Sequence, residues 1–406
     1  MDTATTLGAH IARLRRERGL SQGELATALA VTRSIISAWE NDNRVPRPDK
    51  LAALREVIGL PDEAMASPAA RDKGVLPERM PVSQVLRQAA DGLIAQLSED
   101  QAVDGRPGYG WRRDLEDIDQ PLSAMATAYG LQAILLAGTR DWRVDLRLVR
   151  EVLRRLELPE GGWSALDKSP MARPEVTAVV IGALTDAGES REYIAERMSL
   201  LVEILDRRVE GAERARPYIL TTSLLELSRL DIPEATARRF LRVLLDLSVE
   251  DDGARGWPVI VRDTGLGASG PSTVHTAAAV RTLAAWASRL DDDGLRDLAV
   301  SGRTWLERHA ELDLDDETLR IERADGGEEL HVVRHFTPAV VLRALVEARG
   351  DVGGLVARQA RHQTLAYYVP ALGLWRWPSS GGQFPVWMSY QGIAALRSWG
   401  LAHALE

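Results

Sequence analysis

Two sets of polar, basic and aromatic side chains stand out in this 406-residue sequence as candidates for binding. The first lies in residues 21–44, SQGELATALAVTRSIISAWENDNR, where Gln22, Thr32, Arg33, Ser34, Ser37, Asn41, Asn43 and Arg44 are small polar or basic groups. Such groups hydrogen-bond phosphate oxygens and base edges. The second set is Arg173, Glu175, Arg216, Tyr218, His275, Arg334, His335, Trp387 and Tyr390, with Trp375, Trp377 and Gln383 in the last long loop. The first nine lie within a turn or so of a hydroxyl that recurs along the chain. Arg173, Arg216 and Arg334 together favour an anionic or carbonyl-bearing ligand.

Presenting the first set takes two short helices meeting at a turn over residues 28–31. Leu25, Ala26, Val31, Ile36 and Trp39 fall where crossing helices need apolar or small contacts, which leaves Arg33, Ser34, Ser37 and Asn41 outside. That layout is a helix-turn-helix, whose second helix lies in the DNA major groove. A preceding helix over residues 5–18 carries Leu7, Ile11 and Leu14 among arginines, and Gly19 ends it. Ser21 with Glu24 forms a capping box for the second helix, and Thr32 caps the third. Pro46 and Pro48 precede a last helix over residues 49–58, which buries Leu51, Leu54 and Ile58.

Residues 6–60 resemble the Xre type of helix-turn-helix, the family of phage repressors and Cro proteins. The match lies in the Ser-Gln opening, Glu24-Leu25-Ala26, the turn valine, Ile36, Trp39-Glu40-Asn41 and the Arg-x-Pro that follows. The resemblance implies that Gln22 and Asn41 contact phosphates and that Arg33 and Ser34 meet base edges. An arginine paired with guanine O6 and N7 supplies roughly 1–3 kcal/mol of discrimination. Ala38 is small where relatives often carry a longer polar residue. The alternative is that this fold serves as a protein docking module or an antitoxin neck.

Charge is unevenly divided. Residues 1–60 hold nine Lys or Arg against seven Asp or Glu, a balance of +2; the rest holds 41 against 52, or −11. An acidic body repels DNA, so contact is expected through the first sixty residues alone. The sequence has no cysteine, which excludes thiolate metal sites, and its seven histidines show no ligand spacing. We expect no metal and no cofactor. No long apolar run and no signal-type N-terminus occur, so a cytoplasmic protein without membrane contact is expected.

Residues 61–81 read as a linker, and from 82 onward the chain is almost all helix. Six segments of about fifty residues each carry an outer helix, a loop and a more apolar second helix. Their aligned hydroxyls are Thr127, Thr177, Thr221, Thr276, Thr337 and Ser389, spaced by 50, 44, 55, 61 and 52 residues. Four loops bring Gly-Trp or Gly-Leu-Trp, ending at Trp111, Trp163, Trp257 and Trp375; the third and fifth units lack it. The expected fold is all-α: a helix-turn-helix domain at 1–60, then an (α/α)6 toroid at 82–406 with one inserted β-hairpin. An open helical array is the alternative. Either shape sets the starts of the inner helices around one mouth, where a ligand would sit. Trp111, Trp163 and Trp257 are expected to wedge the repeats together, and Trp375 and Trp377 to flank a lid.

The Gly-Trp loops and paired helices are similar to the terpene-cyclase and protein-prenyltransferase superfamily. Asp313-Leu314-Asp315-Asp316 matches the DxDD acid of class II terpene cyclases, yet TLRIER, ADGG and EELHVVR around it alternate like a hairpin. The chain lacks DDxxD, and Glu175 is the only acid at the start of an inner helix, where a glycosidase needs two. We therefore expect a DNA-binding regulator without catalytic activity, whose toroid senses a small molecule or binds a protein. It would act as a homodimer on double-stranded operator DNA. The alternatives are an isoprenoid-type cyclase or transferase carrying a DNA-binding domain, and a scaffold or defence switch whose toroid binds another protein.

Overall fold

The computed structural model describes residues 7–29, 31, 33–40, 46, 48–60, 80–101, 107–115, 117, 119–138, 144–164, 171–210, 216–259, 270–322, 328–350, 352–378 and 383–403. Helices α1 (Leu7–Glu17), α2 (Gln22–Ala28), α3 (Arg33–Glu40) and α4 (Pro48–Ile58) form the N-terminal unit. Ile11, Leu25, Leu29, Ile36, Trp39, Leu54 and Ile58 are its buried core, with Val31 packed against them. The capping box is present. Ser21 Oγ accepts from the Glu24 N–H at 3.1 Å, and Glu24 Oε2 accepts from the Ser21 N–H at 2.7 Å.

One carboxylate ties three of these helices. Glu40, at the end of α3, accepts from the Arg15 guanidinium of α1 and from Gln22 Nε2 of α2, the latter at 2.8 Å. Burial opposes its charge, but the Arg15 and Gln22 hydrogen bonds outweigh burial and hold Glu40 below the usual carboxylate range.

The remainder is built of helical hairpins. The outer helices are α5 (Val82–Ala95), α7 (Leu146–Arg155), α9 (Arg191–Glu210), α11 (Glu234–Asp246), α13 (Asp293–His309) and α15 (Leu355–Ala366). The inner ones are α6 (Ala124–Leu136), α8 (Pro174–Asp186), α10 (Pro217–Leu227), α12 (Thr273–Leu290), α14 (Thr337–Glu347) and α16 (Val386–His403). Each inner helix packs on the next, and α16 packs on α6. The ring is closed. Burial follows position: α8 is buried at every residue from Pro174 to Leu184, whereas α7 buries only Val149, Val152 and Leu153. A helix enclosed on all sides can be apolar all round; one that faces solvent keeps a single apolar stripe.

First and last repeats are also joined through their loops. The Leu115 N–H donates to the Phe384 carbonyl at 3.2 Å, the Val386 N–H to the Arg113 carbonyl at 3.3 Å, and Arg397 Nη1 to the Leu136 carbonyl at 2.6 Å.

Tryptophan staples explain the repeat. In four units a backbone N–H meets the aligned hydroxyl of the inner helix: Trp111 to Thr127 Oγ1 at 3.1 Å, Trp163 to Thr177 Oγ1 at 3.1 Å, Trp257 to Thr276 Oγ1 at 2.9 Å and Trp375 to Ser389 Oγ at 3.3 Å. The four indole N–H groups donate to the outer helix, at the carbonyls of Leu93, Leu153, Leu244 and Thr364. One side chain therefore binds the end of an outer helix to the start of an inner one while burying a large apolar face. The third and fifth units, which lack the tryptophan, show no equivalent bond among the described residues. Thr221 donates back to the Tyr218 carbonyl at 3.2 Å, and Thr337 Oγ1 is buried with no hydrogen-bond partner among the described residues.

Four antiparallel two-stranded hairpins decorate the loops: β1 (Ser98–Gln101) with β2 (Pro107–Gly110), β3 (Val249–Asp251) with β4 (Ala254–Gly256), β5 (Asp315–Glu322) with β6 (Glu328–His335), and β7 (Tyr368–Val369) with β8 (Leu374–Trp375). Only the third was expected from the sequence. The β3–β4 turn did carry a signal, Asp252-Gly253, both in the left-handed region at φ 50° and 68°, the pattern of a tight hairpin turn. Asp315 begins β5 and is exposed, so this carboxylate of the DxDD string faces solvent.

Candidate functional site

All six inner helices contribute to one cavity of about 520 Å³. Its depth is set by position along them. The mouth is formed by residues near helix starts, such as Ser123, Arg173 and Trp387, together with Arg113, Asp114, Gln120, Gln383 and Pro385 from the joined first and last loops. Val332 to His335 of β6 complete the rim. Tyr129, Val179, Glu226, Arg281, Arg343 and Gln391 lie further along their helices and form the deeper wall.

Of the ligand residues expected from the sequence, Arg173, Glu175, Tyr218, Arg334, His335, Trp387 and Tyr390 line this cavity, as does Gln383. Four do not. Trp375 is fully buried as the staple of the last repeat, so it forms no lid. Trp377 is buried behind the wall, with Trp387 at 5.7 Å and the Arg334 guanidinium 5.4 Å above its ring. His275 lies behind His335, ring edge to face at 5.8 Å, with Nδ1 3.0 Å from Ser272 Oγ. Arg216 is the N-cap residue of α10. The aligned hydroxyls of the four stapled units are likewise spent on tryptophan N–H groups and do not ring the mouth.

Charge is paired at the rim and shared unequally at depth. Arg173 Nε donates to Glu175 Oε1 at 2.9 Å, so this cation at the mouth is already neutralised. Glu175 Oε2 remains, buried and with no hydrogen-bond partner among the described residues. Arg334 donates to Gln383 Oε1. Deeper, Gln132 Nε2 reaches Glu226 Oε2 at 3.4 Å, and Arg229 binds both Glu226 and Asp186. Burial pushes the Glu226 carboxyl up despite Arg229. On the other wall, Arg281 Nε and Arg343 Nε each donate to Glu347 at 2.9 Å, on Oε2 and Oε1 respectively. Burial opposes the Glu347 charge, but the two guanidiniums pull it down to about 2.

Three tyrosines stand between these walls. Tyr129 and Tyr390 are stacked with centroids 4.8 Å apart. Burial first, then Tyr218, Tyr390, Glu226 and Glu175, keeps the Tyr129 hydroxyl protonated well above the usual range. It is a donor under all ordinary conditions.

Sequence reasoning missed Tyr129, Asp114, Glu226, Arg281 and Arg343. A signal existed for part of this set. Gln132, Glu226 and Arg281 each stand five residues after their aligned hydroxyl, polar groups in otherwise apolar helices. In α8 the corresponding residue is Gly182, where a Cβ would come within 2.1 Å of Glu226 Oε2. Among the described residues no three His, Asp or Glu side chains cluster as metal ligands, and no helix is long and apolar enough to cross a membrane.

In the N-terminal unit, Arg33 at the start of α3 is exposed, while Ser37 and Gln22 are half-buried. Gln22 has its amide on Glu40. Thr32, Asn41, Asn43 and Arg44 lie outside the described residues, as does the side chain of Ser34.

Residues 6–67 match a helix-turn-helix domain family. No curated protein sequence matches the chain. Among solved structures, an inactive variant of an α-1,6-mannanase of glycoside hydrolase family 76 from Salegentibacter sp., in complex with α-1,6-mannotetrose, is 14% identical with a TM-score of 0.54. The match covers 80% of this chain and 100% of that one. A family 76 glycoside hydrolase from a bovine Bacteroides thetaiotaomicron strain is 8% identical with a TM-score of 0.52, over 81% of this chain and 79% of that one. At such identities the likeness is one of fold: a helical toroid, with nothing specific to terpene cyclases. The Gly-Trp loop joins an outer helix to an inner one through the tryptophan staple, a structural role that does not by itself distinguish one toroid family from another.

Proposed function

We propose that the protein is a sequence-specific DNA-binding regulator whose toroid senses a small molecule. The observation that carries this is the pairing of two units: a helix-turn-helix domain with Arg33 exposed at the start of its second motif helix, and a closed ring around a cavity lined by aromatic, apolar and a few charged side chains. The small basic unit reads DNA, and the acidic body keeps non-specific contact low. Arg33 and Ser34 meet base edges; Gln22 and Asn41 contact phosphate. Two copies on a palindrome place their recognition helices one DNA turn apart, and the ligand shifts the population that fits that spacing.

An electrophoretic shift with the DNA upstream of the protein's own gene tests the reading. Wild type should form a specific complex that Arg33→Ala loses while remaining folded. No complex with any such fragment, from folded protein, would sink it.

A second reading, a toroid that hydrolyses glycosides, is favoured by one observation. The cavity wall carries three carboxylates, Asp114, Glu175 and Glu226, where the sequence offered one. Glycoside hydrolysis uses a pair of carboxylates. Against it, Glu175 is bound by Arg173 and Glu226 by Arg229. Release of reducing sugar from α-1,6-mannan by wild type, abolished in Glu175→Gln, would establish this reading over the first.

A further inference from the structure

We infer that the toroid cavity binds a small organic acid through its oxyanion, held at the deep wall by Arg281 and Arg343. The inference rests on reading the cavity as a ligand site and names the chemistry of its occupant.

Arg281 sits on α12 about two turns below the mouth, and its residue is 8% exposed. Its Nε is spent on Glu347, and its Nη2 is buried with no hydrogen-bond partner among the described residues. Arg343 faces the same cavity from α14 and donates its own Nε to the other oxygen of Glu347. Ser398 Oγ donates to Glu347 as well, at 3.2 Å. The carboxylate thus orients two guanidiniums by their Nε edges; Arg343 also meets the Tyr390 hydroxyl, and Arg281 Nη2 is left without an acceptor among the described residues.

Two cations share one anion here. Across the cavity Arg229 binds Asp186 and Glu226, and burial pushes the Glu226 carboxyl toward its neutral form, so that wall adds little net negative charge. Burial and the neighbouring Arg343 lower the Arg281 pKa, the response of a cation that lacks a full counter-charge. A buried guanidinium N–H without an acceptor is costly, and an oxyanion reaching Arg281 Nη2 relieves it while adding negative charge beside two cations.

The rest of the occupant is read from the other walls. Tyr129, Tyr218, Tyr390 and Trp387 present rings, and Met125 and Val176 present apolar surface. An acid with an aromatic or apolar body fits this lining. Arg173 cannot supply the anion site, since Glu175 already occupies it.

Calorimetric titration of the full-length protein with benzoate, phenyl phosphate and benzamide tests the inference. Benzoate or phenyl phosphate should bind saturably at one site, and the tighter of the two identifies carboxylate or phosphate as the headgroup. Benzamide, uncharged and of the same shape, should not bind. Arg281→Met and Arg343→Met should each weaken anion binding by about tenfold or more, roughly 1.4 kcal/mol. Benzamide binding as tightly as benzoate, anion binding unchanged in folded variants, or no binding of either anion by wild type would overturn it. Should a variant fail to fold, the benzoate and benzamide comparison on wild type still decides. No DNA enters the titration, so this outcome is separate from that of the operator test.

Discussion

The backbone N–H of Trp257 donates to Thr276 Oγ1 at 2.9 Å, and both groups are fully buried. Thr337 holds the equivalent place in the fifth repeat, is buried to a similar degree, and has no such donor among the described residues. The two threonines should therefore answer the same substitution differently. Thr276→Val strands a buried N–H and should cost about 1–3 kcal/mol, whereas Thr337→Val removes an unpaired hydroxyl and should be neutral or stabilising. Urea denaturation of both variants reads the difference. Equal losses would mean that the staple is not what the hydroxyl is for.

The tryptophan needs room as well as a partner. At Gly392 a Cβ would stand 2.4 Å from the Trp375 ring, and at Gly130 one would stand 2.5 Å from the Trp111 ring. Gly392→Ala should destabilise the toroid by roughly 1–3 kcal/mol through overpacking, even though alanine favours helix. At Gly138, where φ is +74°, nothing lies within 4 Å of an added Cβ, so any penalty for alanine there comes from the backbone alone. Thermal melts of the two variants separate crowding from backbone strain.

Glu347 makes stability depend on pH. Its folded pKa of about 2 lies below the ordinary 4.5. Its contribution is therefore complete above about pH 5 and is lost as pH falls toward 2. The shift corresponds to roughly 3 kcal/mol at most. Glu226 is shifted upward and has the opposite sign, favouring the fold as pH falls. The stability gap between wild type and Glu347→Gln should narrow from about pH 6 to pH 2; a gap independent of pH would show that Glu347 is not held ionised by the two arginines.

In the N-terminal unit, Glu40→Ala leaves the Arg15 side chain, 11% exposed, without its carboxylate. Breaking such a pair costs about 3 kcal/mol, a large share of a small domain's stability. Operator binding should fall together with amide protection in α1 to α3. Arg33→Ala should lose binding with protection intact. Hydrogen exchange on both variants distinguishes a reader that has unfolded from one that no longer reads.

Features that depend on neighbours along the chain are legible in the residue order. Ser21 and Glu24 cap each other three residues apart, and the apolar positions of α2 and α3 place Leu25, Ile36 and Trp39 in one core. The repeat of outer helix, Gly-Trp loop and inner hydroxyl was legible because Trp163 and Thr177 are only 14 residues apart. Periodicity and local hydrogen bonding carry such facts.

The lining of the cavity, by contrast, follows from contacts between distant repeats. Closure of the ring brings α16 onto α6, so that Tyr390 stacks on Tyr129; no local pattern encodes that pairing. Residues near helix starts were visible as candidates, but Arg281, Arg343 and Glu226 lie deeper, and their importance rests on which side of each inner helix faces the void. Arg173 and Trp375 show the reverse. Both looked available in the sequence, and the fold had already spent one on Glu175 and the other on Thr364 and Ser389. Whether a polar group is free or spent is a property of its three-dimensional neighbours.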